Sequence, residues 1–204
     1  MKVSWDDFEL DENILRGLYS YGFDYPSDIQ VKAFEPFKSG RDVTVQSQSG
    51  TGKTCAFIVG STYNLDHTQN INVIILSPTR ELAIQTYNLY NHIVKYTNIK
   101  IQLCIGGTSV SEDCKNLQTN KPKVIVGCIG RVYDLICRNK IDTKHLKTLI
   151  IDEADEMLSQ TFKLQLYDMF QVVPENVQIA LVSATTPNEF KDITKSLCVI
   201  QLRF

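Results

Sequence analysis

The chain lacks the charge that bulk attraction to a polyanion requires: 21 Lys and Arg stand against 23 Asp and Glu, a formal net charge of -2. Any contact with nucleic acid must then use a local patch, helix N-termini and backbone amides. The six cysteines, Cys55, Cys104, Cys114, Cys128, Cys137 and Cys198, form no C-x-x-C pair, and most lie within apolar runs. That spacing argues against a zinc site and for buried free thiols in a reducing compartment. Histidine is scarce, and His67, His92 and His145 stand apart beside polar residues, so surface or packing roles are expected of them. No apolar run approaches the roughly 20 residues of a membrane-crossing helix. The start carries Trp5, Asp6 and Asp7 where a signal peptide would be basic and then apolar. Repeats, low-complexity tracts and shifts in composition are missing too. What remains is 204 residues, 43% hydrophobic and 22% charged, expected to fold as one soluble, intracellular domain.

Short β-rich runs alternate with helical patterns along this chain. Strands are predicted at Asp42–Ser47, Val73–Ser77, Ile101–Ile105, Lys123–Gly127, Thr148–Asp152 and Gln178–Ser183. Several are nearly continuous in Val, Ile and Leu, as strands buried on both faces of a parallel sheet must be. Helices are predicted at about Lys53–Leu65, Arg80–Tyr96, Ser111–Leu117, Arg131–Asn139, Lys163–Val172 and Asn188–Ser196. Two more precede the first strand. Asp11 can cap one, with Ile14, Leu15, Leu18 and Tyr19 as its apolar face and Gly22 after its end; Ser27 can cap the other. The alternation predicts an α/β fold, a doubly wound, mostly parallel sheet with helices on both faces.

The first strand runs into Ser47-Gln48-Ser49-Gly50-Thr51-Gly52-Lys53-Thr54 and then a helical pattern. Strand, glycine-containing turn and helix is the order a phosphate loop needs. Gly50 and Gly52 let backbone N–H groups of Ser49, Thr51 and their neighbours surround a polyphosphate, and the helix N-terminus adds partial positive charge. Lys53 can reach the terminal phosphates, and the Thr54 hydroxyl is placed to ligate Mg²⁺. The strict G-x-x-x-x-G-K-[ST] pattern wants glycine where Ser47 stands, so a plain glycine-rich turn with a surface lysine is the competing reading. Further on, Leu149-Ile150-Ile151-Asp152-Glu153-Ala154-Asp155 puts carboxylates where a buried strand ends. Ligands of open α/β sheets bind at that end. Asp152 could hold Mg²⁺, mostly through water, and Glu153 could orient or deprotonate an attacking water. A helix N-terminus alone favours acids, but that does not explain their pairing with a phosphate loop.

Asp152-Glu153-Ala154-Asp155, the upstream loop and Ser183-Ala184-Thr185 together resemble the DEAD-box RNA helicase family. Gly22-Phe23-Asp24-Tyr25-Pro26-Ser27-Asp28-Ile29-Gln30 is similar to its Q motif, Pro78-Thr79-Arg80-Glu81-Leu82-Ala83 to its motif Ia, and Gly106-Gly107 to its glycine doublet. The family loop carries alanine where Ser47 stands, so the missing glycine is expected there. The resemblance spans nearly the whole chain from about Trp5, and its longer strings are most similar to the translation-initiation-factor-four-A branch.

The resemblance implies a RecA-like P-loop domain of an ATP-dependent RNA helicase, with ATP and Mg²⁺ as cofactors. Gln30 would read the adenine edge and Phe23 would stack on its ring, whereas Trp5 would pack. Ser183 and Thr185 would link the nucleotide site to domain closure. Pro78, Thr79, Arg80, Gly107, Gly130 and Arg131 would grip the backbone of a single-stranded RNA or short duplex. One departure falls there. Cys128-Ile129-Gly130-Arg131 stands where the family reads Thr-Pro-Gly-Arg, losing a phosphate-bonding hydroxyl and a fixed turn. Family helicases continue into a second RecA-like domain with arginine fingers, and the 204 residues end before it. The isolated domain is therefore expected to be nearly inactive, monomeric and free of membrane, in the cytoplasm or alternatively the nucleus. Translation initiation, with a HEAT-repeat scaffold as partner, is the pathway implied. The alternative is a non-catalytic, nucleotide-gated RNA- or scaffold-binding module.

Overall fold

The computed structural model of the chain describes residues 3–68 and 71–184. Six strands, β1 (Val43–Gln46), β2 (Val73–Ser77), β3 (Ile101–Cys104), β4 (Val124–Cys128), β5 (Thr148–Ile151) and β6 (Gln178–Ser183), form one sheet in the order β1-β6-β5-β2-β4-β3. Every neighbouring pair is parallel. Eight helices are described: α1 (Glu12–Tyr21), α2 (Asp28–Lys38), α3 (Lys53–Tyr63), α4 (Arg80–Ile93), α5 (Val110–Asn120), α6 (Ile129–Cys137), α7 (Ala154–Met157) and α8 (Lys163–Val172).

Side chains alternate across a strand, and here each alternate set meets its own layer of helices. Val73 and Ile75 of β2 face the core shared with α1 to α4, built on Leu18, Phe34, Phe37, Phe57, Ile58 and Tyr90. Ile74 and Leu76 face the other core, with Leu117, Val132, Leu135, Met157 and Leu166 from α5 to α8. Both faces of the sheet are thus spent on packing, which is why β2 and β5 are buried at every position. The expected doubly wound sheet is present.

The caps follow the sequence. Asp11 accepts the N–H of Asn13 at 2.8 Å, and Gly22, at φ 97°, closes α1. Element ends shift where helix-ending contacts decide. The α3 and α4 helices end at Tyr63 and Ile93, short of the predicted Leu65 and Tyr96, and α6 begins at Ile129 rather than Arg131 because Cys128 is its extended N-cap. The 3-10 turn Trp5–Phe8 and the short α7 were not legible as periodic patterns. Trp5 is buried at 1% exposure. Two side-chain expectations are corrected. Tyr19 is 39% exposed, its hydroxyl donating to Asp6, because α1 packs on α4 through Gly17 instead. Cys55 and Cys104 are buried, but Cys114 and Cys128 are half-buried and Cys137, the last residue of α6, is exposed. The predicted helix Asn188–Ser196 and Cys198 lie outside the described residues.

The α1–α4 crossing is the tightest of these contacts. A Cβ on Gly17 would stand 1.8 Å from the Ile93 carbonyl oxygen. Gly17→Ala must push the two helices apart, and a loss of about 1–3 kcal/mol is expected despite alanine's better helix propensity. Urea unfolding of the two proteins measures it; equal midpoints would show that the crossing yields freely.

Candidate functional site

Because all six strands are parallel, every strand ends on the same edge of the sheet, and the sheet order sorts what they carry. The adjacent strands β1, β6 and β5 deliver the phosphate loop, Ser183 and Asp152. The adjacent strands β2, β4 and β3 deliver Thr79–Arg80, Gly130–Arg131 and Gly106–Gly107.

On the first half, β1 ends at Gln46 and the loop turns through Gly50 (φ 82°) and Gly52 (φ 94°) into α3. Those left-handed angles are the ones that require glycine. The Ser47 N–H bonds the Ser183 carbonyl at 3.3 Å, tying the loop to β6. Lys53 is 7% exposed and its Nζ donates to the Ser47 carbonyl at 2.6 Å, so it lies folded across its own loop. The surface-lysine reading does not hold. Thr54 is half-buried on the first turn of α3, and Ser49, Gly50 and Thr51 line the loop's outer side.

Gln30 is 5% exposed rather than a helix-surface amide. Its Oε1 accepts from the Ser27 N–H at 2.7 Å and its Nε2 donates to the Gly52 carbonyl at 3.2 Å. The Ser27 hydroxyl donates to the Thr51 carbonyl at 3.0 Å. The start of α2 is therefore laced to the phosphate loop, a link the sequence pattern did not reveal. Phe23, half-buried, lies on the same connecting segment.

Asp152 is 6% exposed, held by its N–H on the Leu76 carbonyl at 2.9 Å, with its Oδ1 accepting from the Glu153 N–H at 3.1 Å. Burial foremost, and the neighbouring Glu153 charge, push its carboxyl up to about 7, against a smaller downward pull from Lys53. Glu153 is also pushed up by burial, which Lys53 opposes. Its backbone sits at φ 47°, ψ 55°, a left-handed conformation uncommon outside glycine. Asp155 keeps a buried Oδ1 without a hydrogen-bond partner among the described residues, and Ser183 is fully buried. Thr185 lies outside the described residues. The arrangement brings one buried lysine, a backbone cradle and two carboxylates of raised proton affinity to one edge, the equipment for holding a polyphosphate beside a water to be activated.

The second half departs from a simple side-chain grip. Thr79 is exposed and caps α4, accepting the Leu82 N–H at 3.3 Å, and Arg80, Gly107 and Gly130 are exposed. Pro78 is buried. The Arg131 side chain is only 10% exposed, ion-paired with Asp113 and donating to the Thr108 hydroxyl and carbonyl, both at 2.9 Å. Its guanidinium thus anchors the Gly106–Ser109 loop rather than facing solvent, and the Pro78 and Arg131 side chains are set back from the surface. The exposed Arg80 guanidinium lies close over the same loop, 2.7 Å from where a Cβ on Gly107 would stand. Asp113 and Thr108 were missed because an acid in the first turn of α5 reads as a dipole partner. What this half offers outward is Arg80 and the N-terminal turns of α4 and α5, each with one N–H taken by its cap (Thr79 and Ser109), and of α6, which has no side-chain cap.

The raised Asp152 carboxyl makes stability depend on pH with a definite sign. Between the ordinary 3.8 and about 7, the folded protein keeps a proton that the unfolded chain has released, so stability falls as pH rises through that window and levels above it. Asp152→Asn should flatten this slope and raise the melting temperature at pH 8. Melting curves from pH 4 to 8 decide it; a variant with the wild-type slope would refute the assignment.

Comparison with known proteins follows the same lines. The profile of the DEAD/DEAH box helicase family matches residues 27–193. Eukaryotic initiation factor 4A of Caenorhabditis elegans is 46% identical over 192 residues, covering 94% of this chain and 48% of that protein. The ATP-dependent RNA helicase eIF4A of Aspergillus oryzae is 47% identical, covering 94% of this chain and 45% of that protein. A DEAD box protein from Methanococcus jannaschii superposes with a TM-score of 0.85 at 33% identity, covering 94% of this chain and 53% of the other. Dbp5 of S. cerevisiae, bound to RNA and ADP BeF3, superposes with a TM-score of 0.83 at 31% identity, over 97% of this chain and 49% of the other. The chain spans about half the length of the curated relatives it matches. From the phosphate loop through the Asp152–Asp155 strand end, this chain belongs to the DEAD/DEAH box helicase family.

Proposed function

We propose that this chain is the ATP-binding RecA-like domain of an RNA-stimulated ATPase that remodels RNA, in the manner of its initiation-factor relatives. The observation that carries the reading is the placement of Lys53 and the Asp152–Glu153 pair at the ends of β1 and β5, flanking β6 on one sheet edge. Lys53, released from the Ser47 carbonyl, binds the terminal phosphates while loop N–H groups take the others. Gln30 and Phe23 receive the adenine by edge and face. Glu153 orients and deprotonates the attacking water, and Ser183 with Thr185 communicates with a second RecA-like domain.

The residues present fit Mg²⁺. Asp152 is buried, and among the described residues no Lys, Arg or His is ion-paired with it. Among those residues, too, no group of three His, Cys, Asp or Glu forms a protein cage. A lone carboxylate with a threonine hydroxyl suits a cation that keeps its waters and shares nucleotide oxygens. Thr54 and Asp152 would hold it, and when bound it supplies charge neutralisation at the phosphates.

For RNA, Thr79, Arg80, Gly107 and Gly130 form the contact surface, with Pro78 and Arg131 holding it from beneath. Single strands or short duplexes are the substrates, gripped by sugar and phosphate. The proposal extends to a monomer acting in the cytoplasm or nucleus, in translation initiation or related remodelling, with a HEAT-repeat scaffold as partner. A non-catalytic, nucleotide-gated binding module is the second reading, favoured by Cys128-Ile129 in place of Thr-Pro.

Calorimetric titration with ADP·Mg²⁺ tests the site. Lys53→Ala removes a charge-assisted hydrogen bond and should weaken binding roughly 10- to 100-fold. In the same experiment ADP should outbind GDP, and Gln30→Ala should erode that preference; equal wild-type affinity for both would refute adenine reading.

Turnover separates the two functional readings. In the intact protein carrying its second RecA-like domain, Glu153→Gln should keep nucleotide binding while cutting RNA-stimulated hydrolysis by roughly 10²- to 10⁴-fold. A wild-type protein inert towards ATP in the presence of RNA would hand the case to the binding module.

A further inference from the structure

Tyr21 is 49% exposed, an odd place for a large aromatic side chain with no share in either core. Its contacts are instead with two other rings. It stacks on Phe23, centroids 5.0 Å apart and planes 28° apart, and meets His92 nearly edge-on at 4.8 Å and 72°. Residues two apart on a helix do not face each other. The stack exists because Gly22, at φ 97°, reverses the chain, and the Phe23 N–H then bonds back to the Leu18 carbonyl at 3.1 Å. His92 is fixed in turn near the C-terminal end of α4, its Nε2 3.4 Å from the Ser20 hydroxyl.

Four residues beyond Phe23 the chain is bound to the phosphate loop through Ser27 and Thr51, and then through Gln30 and Gly52. The three rings therefore belong to the segment that leads into the phosphate loop, with Phe23 nearest in sequence to its bound residues. A half-buried phenylalanine on a connecting turn has freedom about two side-chain torsions, which a stacking ligand must otherwise freeze. Phe23 already packs against the core of α1 to α4, and the Tyr21 ring stacked on it, with His92 behind, removes more of that freedom beforehand.

We propose that Tyr21 is a positioning residue for nucleotide binding, stacking behind Phe23 with His92 braced against it so that the Phe23 ring is already set to receive the base. This inference rests on the reading of Phe23 as the adenine-stacking residue. It predicts an effect confined to the base. An offset-stacked aromatic pair corresponds to a change of about three- to tenfold in affinity.

The test compares ADP·Mg²⁺ with Mg²⁺–pyrophosphate, which engages the phosphate loop but has no base, in wild type, Tyr21→Ala, Tyr21→Phe and Phe23→Ala. The expected result is a loss of about three- to tenfold for ADP in Tyr21→Ala, unchanged pyrophosphate affinity, and recovery in Tyr21→Phe. Equal losses for both ligands would overturn the proposal, because the substitution would then be disturbing the loop as a whole. Failure of Tyr21→Phe to recover binding would overturn it as well, by moving the effect from ring to hydroxyl. Unchanged ADP affinity in Tyr21→Ala with a loss in Phe23→Ala would sink the proposal and leave adenine stacking intact. Unchanged affinity in both alanine variants would sink the two together.

Discussion

Burial of the sheet on both faces is the constraint from which the rest follows. Once the apolar side chains of β2 and β5 are divided between the two cores, and their buried Thr148 and Ser77 stand only at strand ends, the middle of these strands is left with no polar chemistry. Parallel strands then place all their C-terminal ends on one edge, where loops with free N–H groups meet helix N-termini. The order β1-β6-β5-β2-β4-β3 does the remaining sorting. Strands far apart in sequence become neighbours, so Lys53 and Asp152, about half the chain apart, come to flank the end of β6.

The nucleotide half of that edge is built against its own stability. Asp152 is buried where its charge is costly, Glu153 holds a left-handed backbone, and Asp155 keeps a buried oxygen unpartnered among the described residues. A non-glycine residue in that conformation costs on the order of 1–3 kcal/mol. Such costs persist only where packing over-determines the geometry, and β5 supplies that packing with four fully buried residues. Lys53 satisfies itself on the Ser47 carbonyl meanwhile, a neutral partner that lacks the opposite charge an oxyanion would offer the ammonium.

The parts of this arrangement legible in the sequence were those with local physical causes. Apolar runs located all six strands to within a residue or so of their ends, and Asp11, Gly22 and Gly52 marked helix ends because their chemistry is local. The motif residues of the phosphate loop and the Asp152 strand end could be named from order and spacing. Long-range partners could not. Nothing in the pattern showed that Arg131 turns inward to Asp113, because that pair joins α6 to α5 across 18 residues. The Gln30–Gly52 lacing and the Tyr21–His92 contact likewise bridge separate elements, and the need for glycine at position 17 comes from the Ile93 carbonyl of α4.

Arg131 turning inward also changes how the second half of the edge must work. A chain of net charge -2 that spends an arginine inside has little positive charge to aim at a polyanion there. Its outward resources are Arg80 and the remaining backbone N–H groups at the starts of α4, α5 and α6, which carry partial charges and read no base. Contacts of that kind position a strand more than they hold it. They also require a fixed backbone, since a loose loop would surrender in ordering what each weak bond returns. The Arg131–Thr108–Asp113 cluster provides that fixity. Arg131 thus serves an RNA-binding reading better as scaffolding for amides than as a free cation, and the exposed Arg80 is left as the arginine that can meet a phosphate directly.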